Sequence, residues 1–281
     1  MKKIDFIHTC PGSKKQWRIK SASSLDEYLA ALHLRRKVYL EQGYFSVEEL
    51  ESNDSYVELV KYLKEQNYDP YDGLYEIDAY DRFPEYANNN FDSTKLHTEQ
   101  LIALEKSEFG ELSIDGGCYT LAGAVRVVRD DTELSLQPLG LPVEENVDIK
   151  SIKAKNLKKN RRFCEASRLV KKENTDKYMT NGLLRAITNL TLYGDIYCPD
   201  TIIVAPEPLE RYYNGVGCRR LLPEAFNYKK MSGVHKAVAL NIEMNRVKII
   251  LSFAGIKPIR VLIARLFPRF DATLYSSTRL E

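Results

Sequence analysis

The sequence predicts an α/β fold in which a mixed central sheet is flanked by helices, with a helical insertion and a C-terminal helical extension. Strand-like and helical runs alternate along the second half of the chain, and two amphipathic stretches precede them. Alternation of this kind places helices on the faces of a sheet. The 281 residues are 44% hydrophobic and 28% charged, as is typical of a globular protein with one or two domains. We predict a single domain over residues 1–281.

The first helix is expected from Leu25 to about Leu40. Ser24 stands before it and Glu27 follows three residues later, which is the spacing of a capping box at a helix N-terminus. Leucines at positions 25, 29 and 32 recur at helical intervals. They predict the stripe of this helix that packs on the core.

The helical insertion is expected at about residues 47–73. A stretch from Val47 to Gln66 carries apolar residues at helical spacing, which predicts one amphipathic helix. These residues are Val47, Leu50, Val57, Val60 and Leu63. The segment 67–73, which contains Pro70 and Gly73, is typical of a turn that ends a helix.

The later elements are four strands, one helix and the C-terminal extension at about residues 245–281. The strands are expected at Thr120–Val128, Phe163–Val170, Thr201–Ala205 and Lys236–Ile242, and the helix at Thr180–Tyr193. Between Arg246 and Arg269 cations alternate with apolar residues, which predicts two short helices. Packing on the core is the favoured interpretation of these helices, and peripheral contact with an anionic membrane surface is the alternative.

Several classes of function are disfavoured by the pattern of residues. No apolar run approaches the roughly 18 residues that span a bilayer, and Met1 to Lys20 lacks the apolar stretch of a signal peptide, so a cytoplasmic protein is expected. The five cysteines contain no CxxC pair, and the four histidines show no spacing typical of metal ligands, so no metal is expected. Cys164 has no neighbouring histidine to activate it and is expected to be a buried thiol.

Charge is distributed unevenly along the chain. Residues 41–111 hold 18 acidic and 5 basic side chains, whereas residues 150–162 hold 7 basic and no acidic ones. The basic stretch, represented by Lys158, Lys159, Arg161 and Arg162, is either a solvated loop or a docking site for an acidic partner. No aromatic residues interleave with these cations, so nucleic-acid binding is not expected.

Charged residues also occur inside otherwise apolar segments. Burying an unpaired charge costs several kcal/mol, so such residues need partners. They are Arg35, Asp78, Asp81, Arg126, Glu165 and Arg168. One interpretation is a cleft in which paired Arg and Asp hold a substrate and Glu165 is a base with a raised pKa, and the other is structural ion pairing.

Four of these segments, in this order, resemble the acyl-homoserine-lactone synthases. They are Leu34-Arg-Arg-Lys-Val-Tyr39 with Gly43-Tyr44, then Asp78-Ala-Tyr-Asp81, Gly123-Ala-Val-Arg126 and Glu165-Ala-Ser-Arg168. The resemblance implies a GNAT-like fold, related to the GCN5-type N-acetyltransferases. It also implies functional positions at Arg35, Tyr39, Asp78, Asp81, Arg126, Glu165 and Arg168. His97 is similar to a position in related bacterial acyltransferases, including long-chain N-acyl amino acid synthases.

One departure from these autoinducer synthases bears on the acyl acceptor. They carry a tryptophan after the first motif that helps to hold S-adenosylmethionine, where this chain has Tyr44. The resemblance therefore implies transfer of a fatty acyl group from acyl carrier protein or acyl-CoA, as co-substrate without a permanently bound cofactor, onto the amine of a small acceptor. An amino acid is the favoured acceptor. Acyl-homoserine-lactone synthesis, with its role in quorum sensing, is the first alternative, and a non-catalytic regulator that binds an acyl chain or carrier protein is the second.

The implied chemistry assigns roles to the motif residues. An amine that attacks a thioester must lose a proton, and Glu165 is the expected base. Arg126 and Arg168 would orient Asp78, Asp81 and the acceptor carboxylate, while Arg35, Tyr39, Tyr44 and His97 would line the substrate site. The acidic carrier protein would dock on the basic stretch. Residues three apart on a regular strand point to opposite faces, so Glu165 and Arg168 can share one cleft only if a bulge separates them.

Overall fold

The computed structural model describes residues 4–9, 15–44, 46–78, 80–81, 98–130, 140–176, 178–194, 197–214, 217–227 and 236–247. Within these ranges one large sheet forms the centre of the molecule. Its strands are β1 (Asp5–Thr9), β2 (Gln16–Ser21), β3 (Thr98–Lys106), β4 (Leu112–Ile114), β5 (Gly117–Arg129), β6 (Phe163–Lys171), β7 (Asp200–Pro206), β8 (Arg219–Arg220) and β9 (Ala237–Glu243). They lie in the order β1-β2-β3-β5-β6-β7-β9-β8, with β4 paired to β5.

The sheet is mixed, as predicted. Neighbouring strands are antiparallel except β6 and β7, which run parallel and pair over Phe163–Ala166 and Asp200–Ile203. The four predicted strands correspond to β5, β6, β7 and β9 and are confirmed. The first four strands were not anticipated from the sequence.

Six α-helices lie wholly within the described residues, and residues 244–247 are helical at the end of the last described range. The six are α1 (Leu25–Glu41), α2 (Val47–Glu51), α3 (Asp54–Glu65), α4 (Lys150–Leu157), α5 (Tyr178–Tyr193) and α6 (Glu210–Asn214). The predicted start of α1 is confirmed, because the Ser24 hydroxyl accepts a hydrogen bond from the Glu27 backbone N–H. In a capping box the Glu27 carboxylate would accept from the backbone N–H of Ser24. It accepts instead from the backbone N–H of Ser23, one residue earlier.

The expected single helix from Val47 to Gln66 is wrong in detail, because the chain breaks into α2 and α3 at residues 52–53. Asn53 caps α3 by accepting a hydrogen bond from the backbone N–H of Tyr56, and such a cap favours a new helix start. Leu59 and Leu63 form the buried side of α3, whereas Val47 and Val57 are exposed. The apolar stripe is therefore narrower than the predicted one.

The two faces of the sheet are packed differently. Helix α5 covers one face, where Trp17, Ile19, Leu101 and Val127 belong to one large apolar cluster. On the other face, α1 and the segment 74–81 cover two separate apolar clusters. Along β5, Arg126 lies between Ala124 of one cluster and Val128 of the other. The polar side chains of the molecule's candidate site therefore interrupt the core on one face only.

Residues 150–157 fold as α4, so the first part of the basic stretch is a helix and not the loop of one interpretation. The predicted helices between Arg246 and Arg269 lie, but for residues 246–247, outside the described residues. The division into one domain with two additions stays a prediction. Over the ranges described, no helix has both the length and the apolar character needed to cross a membrane.

Candidate active site

Arg126 is the centre of a buried polar cluster on the α1 face. Its side chain is completely buried. One terminal nitrogen donates to Asp78 Oδ1 at 2.5 Å, the other donates to Asp78 Oδ2 at 3.2 Å, and Nε donates to Ser167 Oγ at 3.3 Å. Burial would lower the pKa of Arg126, but Asp78 and Asp81 outweigh that effect and raise it. Arg126 is therefore a permanent cation with its donors engaged.

The segment from Leu74 to Asp81 brings three carboxylates to this guanidinium. Glu76, Asp78 and Asp81 are all buried. The Asp78 side chain accepts from the backbone N–H of Tyr80 at 2.9 Å, and the Asp81 side chain accepts from the backbone N–H of Asp78 at 2.9 Å. The Asp-x-x-Asp motif thus forms a tight turn whose own hydrogen bonds hold both carboxylates in place.

Arg35 supports the same turn from α1. Its side chain is completely buried, donates to the Glu76 carbonyl at 3.0 Å and to Asp81 Oδ2 at 2.9 Å, and lies 3.1 Å from Glu76 Oε2. The sequence-based expectation placed Arg35 against the substrate. In the structure the side chain is buried against Glu76 and Asp81, and its place in the substrate site stays a prediction.

Arg168 joins the cluster through a bulge in β6. The pairing with β5 shifts register between Ala124 and Arg126, which leaves an extra residue in β6. Arg168 itself has φ +58°, a left-handed conformation that is uncommon outside glycine. Its guanidinium donates to Asp78 Oδ2 at 2.9 Å and lies 3.2 Å from Glu76 Oε1. The bulge required for Glu165 and Arg168 to share a face is present.

Glu165 is the fourth carboxylate of this cluster and is completely buried. Its Oε2 accepts a hydrogen bond from the backbone N–H of Val143 at 2.7 Å, whereas Oε1 has no hydrogen-bond partner among the described residues. Burial raises the pKa of Glu165 to about 7, against the opposing effects of the Val143 N–H, Arg126 and Arg168. A carboxyl group with this pKa can exchange a proton near neutral pH.

Two members of the cluster were missed by the sequence-based reasoning. Glu76 stands two residues before Asp78, and this alternation was the signal that could have found it. Gln100 pairs across β3 and β5 with Arg126, is 1% exposed, and has no hydrogen-bond partner for Oε1 within the described ranges. Nothing in the local sequence marks Gln100, because its neighbour Arg126 is distant along the chain.

The tyrosines predicted to line the site lie beside Arg168. The Arg168 guanidinium carbon is 5.5 Å from the centre of the Tyr39 ring, and Tyr39 and Tyr44 meet edge to face at 5.4 Å. Tyr39 is buried and Tyr44 is half-buried. His97 lies outside the described residues. Tyr44 is thus joined to the cluster through Tyr39.

Cys164 points to the opposite face of β6, as expected for a packing residue. Its Sγ lies 3.2 Å from Thr201 Oγ1, and burial raises the pKa of the thiol to about 12. A thiol with such a pKa is protonated at neutral pH and is a poor nucleophile.

An opening in the sheet begins beside Glu165. The parallel ladder between β6 and β7 ends at Ala166 and Ile203, although β6 continues to Lys171 and β7 to Pro206. In the register of the described strands, Ser167, Val170 and Lys171 pair only with β5, and residues 204–206 only with β9. The two facing strand edges beyond the ladder therefore have backbone groups available to an extended ligand.

The basic stretch is not uniform. Lys158 and Lys159 are exposed at the end of α4, next to Leu157, which is 61% exposed. Arg161 instead donates to both carboxylate oxygens of Asp200 at 2.8 Å and to Glu243 at 3.1 Å. The charge of Arg161 is therefore balanced by Asp200 and Glu243, and its part in a docking surface stays a prediction.

Similar known protein structures were found, although no protein-family profile matches the chain and no curated protein is significantly similar to it. FeeM, an N-acyl amino acid synthase from uncultured soil microbes, is 13% identical, with coverage of 83% of this chain and 93% of FeeM and a TM-score of 0.50. The acyl-homoserine-lactone synthase LasI is 17% identical over 83% of this chain and 92% of LasI, with a TM-score of 0.43. BjaI, a CoA-dependent acyl-homoserine lactone synthase, is 15% identical over 91% of this chain and 96% of BjaI, with a TM-score of 0.42. The likeness to FeeM shows a shared fold, and the fold class expected from the resemblance is confirmed.

Proposed function

We propose that this chain is an acyltransferase that moves a fatty acyl group from a carrier thioester onto the amine of a small acceptor, most directly an amino acid. The observation that carries the proposal is Glu165, a buried carboxyl group with a pKa of about 7 and one oxygen without a partner among the described residues. It lies at the start of the opening between β6 and β7. A base and a place for an extended donor therefore adjoin each other, as aminolysis of a thioester requires.

In the proposed reaction, Glu165 removes a proton from the acceptor amine, directly or through one water molecule. The neutral amine attacks the thioester carbonyl and a C–N bond forms. The nitrogen of the tetrahedral intermediate then loses a second proton, and the intermediate collapses to the amide as the C–S bond breaks. One of the two protons goes to the leaving thiolate and the other to solvent, so the Glu165 carboxylate is regenerated. No covalent acyl-enzyme is needed, which agrees with the protonated state of the Cys164 thiol.

The bulge in β6 supports a role in stabilising the intermediate. Residues 168 and 169 fall outside the ladder with β5, so their backbone N–H groups are candidates to donate to the developing oxyanion. Donors fixed in place before the reaction are effective because they need no reorganisation when charge develops. We propose that the carbonyl of the acyl thioester binds at this bulge. The amide-containing arm that carries the thioester would then lie along the β6 and β7 edges.

The polar cluster changes the expected roles of the arginines. Arg126 is enclosed and bound to Asp78 and Ser167, so we assign it to positioning and not to the acceptor carboxylate. Arg168 lies at the bulge beside Tyr39 and remains the candidate for that carboxylate. The planar guanidinium matches a carboxylate well.

For the donor, we propose that acyl carrier protein docks on the end of α4. Lys158 and Lys159 together with the exposed Leu157 offer positive charge and apolar surface, which suits an acidic protein partner. Arg162 lies next to this surface, whereas Arg161 is held by Asp200. The double change Lys158→Glu, Lys159→Glu should raise KM for an acyl carrier protein donor by about tenfold and change kcat less.

The control for docking is acyl-CoA, which needs no protein surface. Its KM should change by less than about twofold in the same double variant. Equal losses with both acyl donors, or no loss with the carrier protein, would mean that these lysines are solvent-exposed residues without a docking role.

Mass spectrometry of lipids from a bacterial host that expresses the protein tests the proposed function. The wild type should accumulate a fatty acyl amide that Glu165→Gln does not produce, because the amide keeps the volume of the side chain but is not a base. Glu99→Gln, a buried carboxyl change on the α5 face, is the matched control and should still produce it. If no acyl amide distinguishes wild type from Glu165→Gln, the proposed function is wrong.

The head group of the product also decides between the two classes of acceptor. An N-acyl amino acid supports the proposal, whereas an acyl-homoserine lactone identifies S-adenosylmethionine as the acceptor. Tyr44 at the position of the synthase tryptophan favours the amino acid. Competition between an amino acid mixture and S-adenosylmethionine in the purified reaction is the corresponding test in vitro.

A further inference from the structure

Four side-chain oxygens in the polar cluster have no hydrogen-bond donor in the part of the chain that the structure describes. One of them, Glu76 Oε2, still lies 3.1 Å from Arg35 Nε and so has a cation beside it. The other three are Asp81 Oδ1, Gln100 Oε1 and Glu165 Oε1. Asp81 receives donors from Arg35, Arg126 and the Asp78 backbone, yet all three go to Oδ2. Gln100 uses only its amide nitrogen, in a 3.4 Å contact with the Leu101 carbonyl. Within the described residues, Arg35 Nη1 is a buried donor of the same cluster without an acceptor. Buried acceptors without donors are costly, and the larger number of such acceptors points to a ligand that brings N–H groups.

The three residues are arranged around Arg126. Gln100 is its cross-strand neighbour on β3, and the other neighbour in that row, on β6, is Ser167. Glu165 is two residues before Ser167 and shares its face of the strand. Asp81 is held beside them, because its other carboxylate oxygen, Oδ2, lies 3.3 Å from the Arg126 guanidinium. The three side chains therefore surround Arg126 on the α1 face.

The cluster contains one more negative than positive formal charge. Its guanidiniums are Arg35, Arg126 and Arg168, and its carboxylates are Glu76, Asp78, Asp81 and Glu165. Three positive and four negative formal charges leave −1 when Glu165 is ionised. A buried group of this kind is stabilised by a further cation, and the ligand that supplies donors would also balance the charge.

We infer that the acceptor amine enters this cluster as a primary ammonium ion, whose N–H groups donate to Asp81, Gln100 and Glu165. The inference rests on the proposed function and adds the recognition step and a new binding residue, Gln100. The cluster then recognises the ammonium group of the acceptor, in addition to the carboxylate contact proposed for Arg168. One N–H proton passes to Glu165, which leaves a neutral amine and a protonated carboxyl group, so charge is conserved within the cluster.

The charged and titratable groups around Glu165 agree with this sequence of events. Arg126 from β5, Arg168 from β6, and Asp78 and Tyr80 from the segment 74–81 all interact with its charge. The Val143 N–H faces it from the 310 helix at Pro142–Glu145. The arginines favour the ionised form of Glu165 and Asp78 opposes it. An ammonium ion nearby would also favour the ionised form, which is the form that can accept a proton.

Methylammonium chloride is the probe that tests the inference, because it has the proposed group and nothing else of an acceptor. Its binding to the full chain can be measured by the shift in Tm and by titration with ¹³C-labelled methylammonium. We expect saturable binding that sodium and tetramethylammonium chlorides at equal ionic strength do not reproduce, since neither donates N–H hydrogen bonds. Gln100→Met, which keeps length and removes the acceptor, should weaken binding by about tenfold.

Matched variants separate this site from non-specific cation binding. Glu165→Gln should weaken methylammonium at least as much as Gln100→Met, whereas Glu99→Gln on the α5 face should leave its affinity within about twofold. Far-UV circular dichroism and the unliganded Tm report whether each variant is folded, and Gln100→Glu, which keeps an acceptor, should retain binding if Gln100→Met does not fold. Absence of saturable methylammonium binding, or equal affinity in wild type, Gln100→Met and Glu165→Gln, overturns the inference. Acyl transfer is measured separately, so an active enzyme that fails this binding test leaves the proposed function standing.

Discussion

The two faces of the central sheet bury charge in different ways. On the α5 face, Glu99 lies 3.7 Å from Arg129 and accepts a hydrogen bond from the Ser21 hydroxyl, inside an otherwise apolar region. On the α1 face, three guanidiniums and four carboxylates interrupt the core. One buried pair is what a fold tolerates as structure. A cluster with more carboxylates than guanidiniums and with donor-free oxygens is better explained by chemistry.

The pKa values of the two buried glutamates sharpen this contrast. Burial raises the pKa of Glu99, and the charge of Arg129 and the Ser21 hydrogen bond oppose it. Burial likewise raises the pKa of Glu165, to about 7. Each glutamate has one oxygen without a hydrogen-bond donor among the described residues, but only Glu165 of the two lies near the end of the β6–β7 ladder. The open strand edge beside Glu165, and not burial alone, supports the role proposed for it.

Removing Asp78 should have the largest effect on stability. Asp78→Ala deprives Arg126 and Arg168 of a shared partner, and an uncompensated buried charge costs about 3–5 kcal/mol. Urea denaturation should show this loss in the free energy of unfolding. Glu99→Gln on the other face should cost less, about 1–3 kcal/mol, because one pair is affected. Equal costs for both changes would contradict the distinction between a network and a single pair.

Arg168 tests whether the bulge or the guanidinium matters more. Arg168→Gly and Arg168→Ala both remove the charge, but only glycine accepts φ +58° without strain. We expect the glycine variant to be about 1 kcal/mol more stable than the alanine variant, as measured by thermal unfolding. Both should lose most acyl transfer. If alanine is as stable as glycine, the strand conformation at this position imposes no strain.

The smallest effect is expected far from the cluster, at the start of α1. Ser24→Ala removes the side-chain cap and should lower the free energy of unfolding by about 1 kcal/mol. The rate of acyl transfer at a temperature well below Tm should stay unchanged. A large loss of activity in this variant would mean that α1 positions Arg35 only when its first turn is intact.

The sequence anticipated the elements whose signals are local. Helix α1 has its cap within three residues, and β5, β6 and β7 are runs of apolar and β-branched residues. Strands β2 and β3 were missed because charged and polar residues interrupt them, as in Thr98–Lys106. Glu99 on β3 is compatible with burial only because Ser21 and Arg129 reach it from other strands. Such partners are distant in the chain and leave no periodic signal.

The candidate site could be predicted in part for the same reason. The paired motifs indicated that Asp78, Asp81, Arg126 and Arg168 belong together, and the parity of strand positions required the bulge in β6. Gln100 could not be found, because its environment is created by the register of β3 against β5. The burial of Arg35 and the engagement of Arg161 by Asp200 likewise depend on tertiary contacts.

The pH dependence of kcat/KM, with acyl-CoA as donor and the acceptor identified from the lipid product, tests the central claim most directly. Glu165 is a base only when deprotonated, so the rate should rise with pH and level off above an apparent pKa near 7. Glu165→Gln should lose at least about a hundredfold in rate and should lack this rise, while Glu99→Gln should keep both. A Glu165→Gln variant that retains the rate within a few-fold, with the wild-type pH profile, would contradict the assignment of Glu165 as the base.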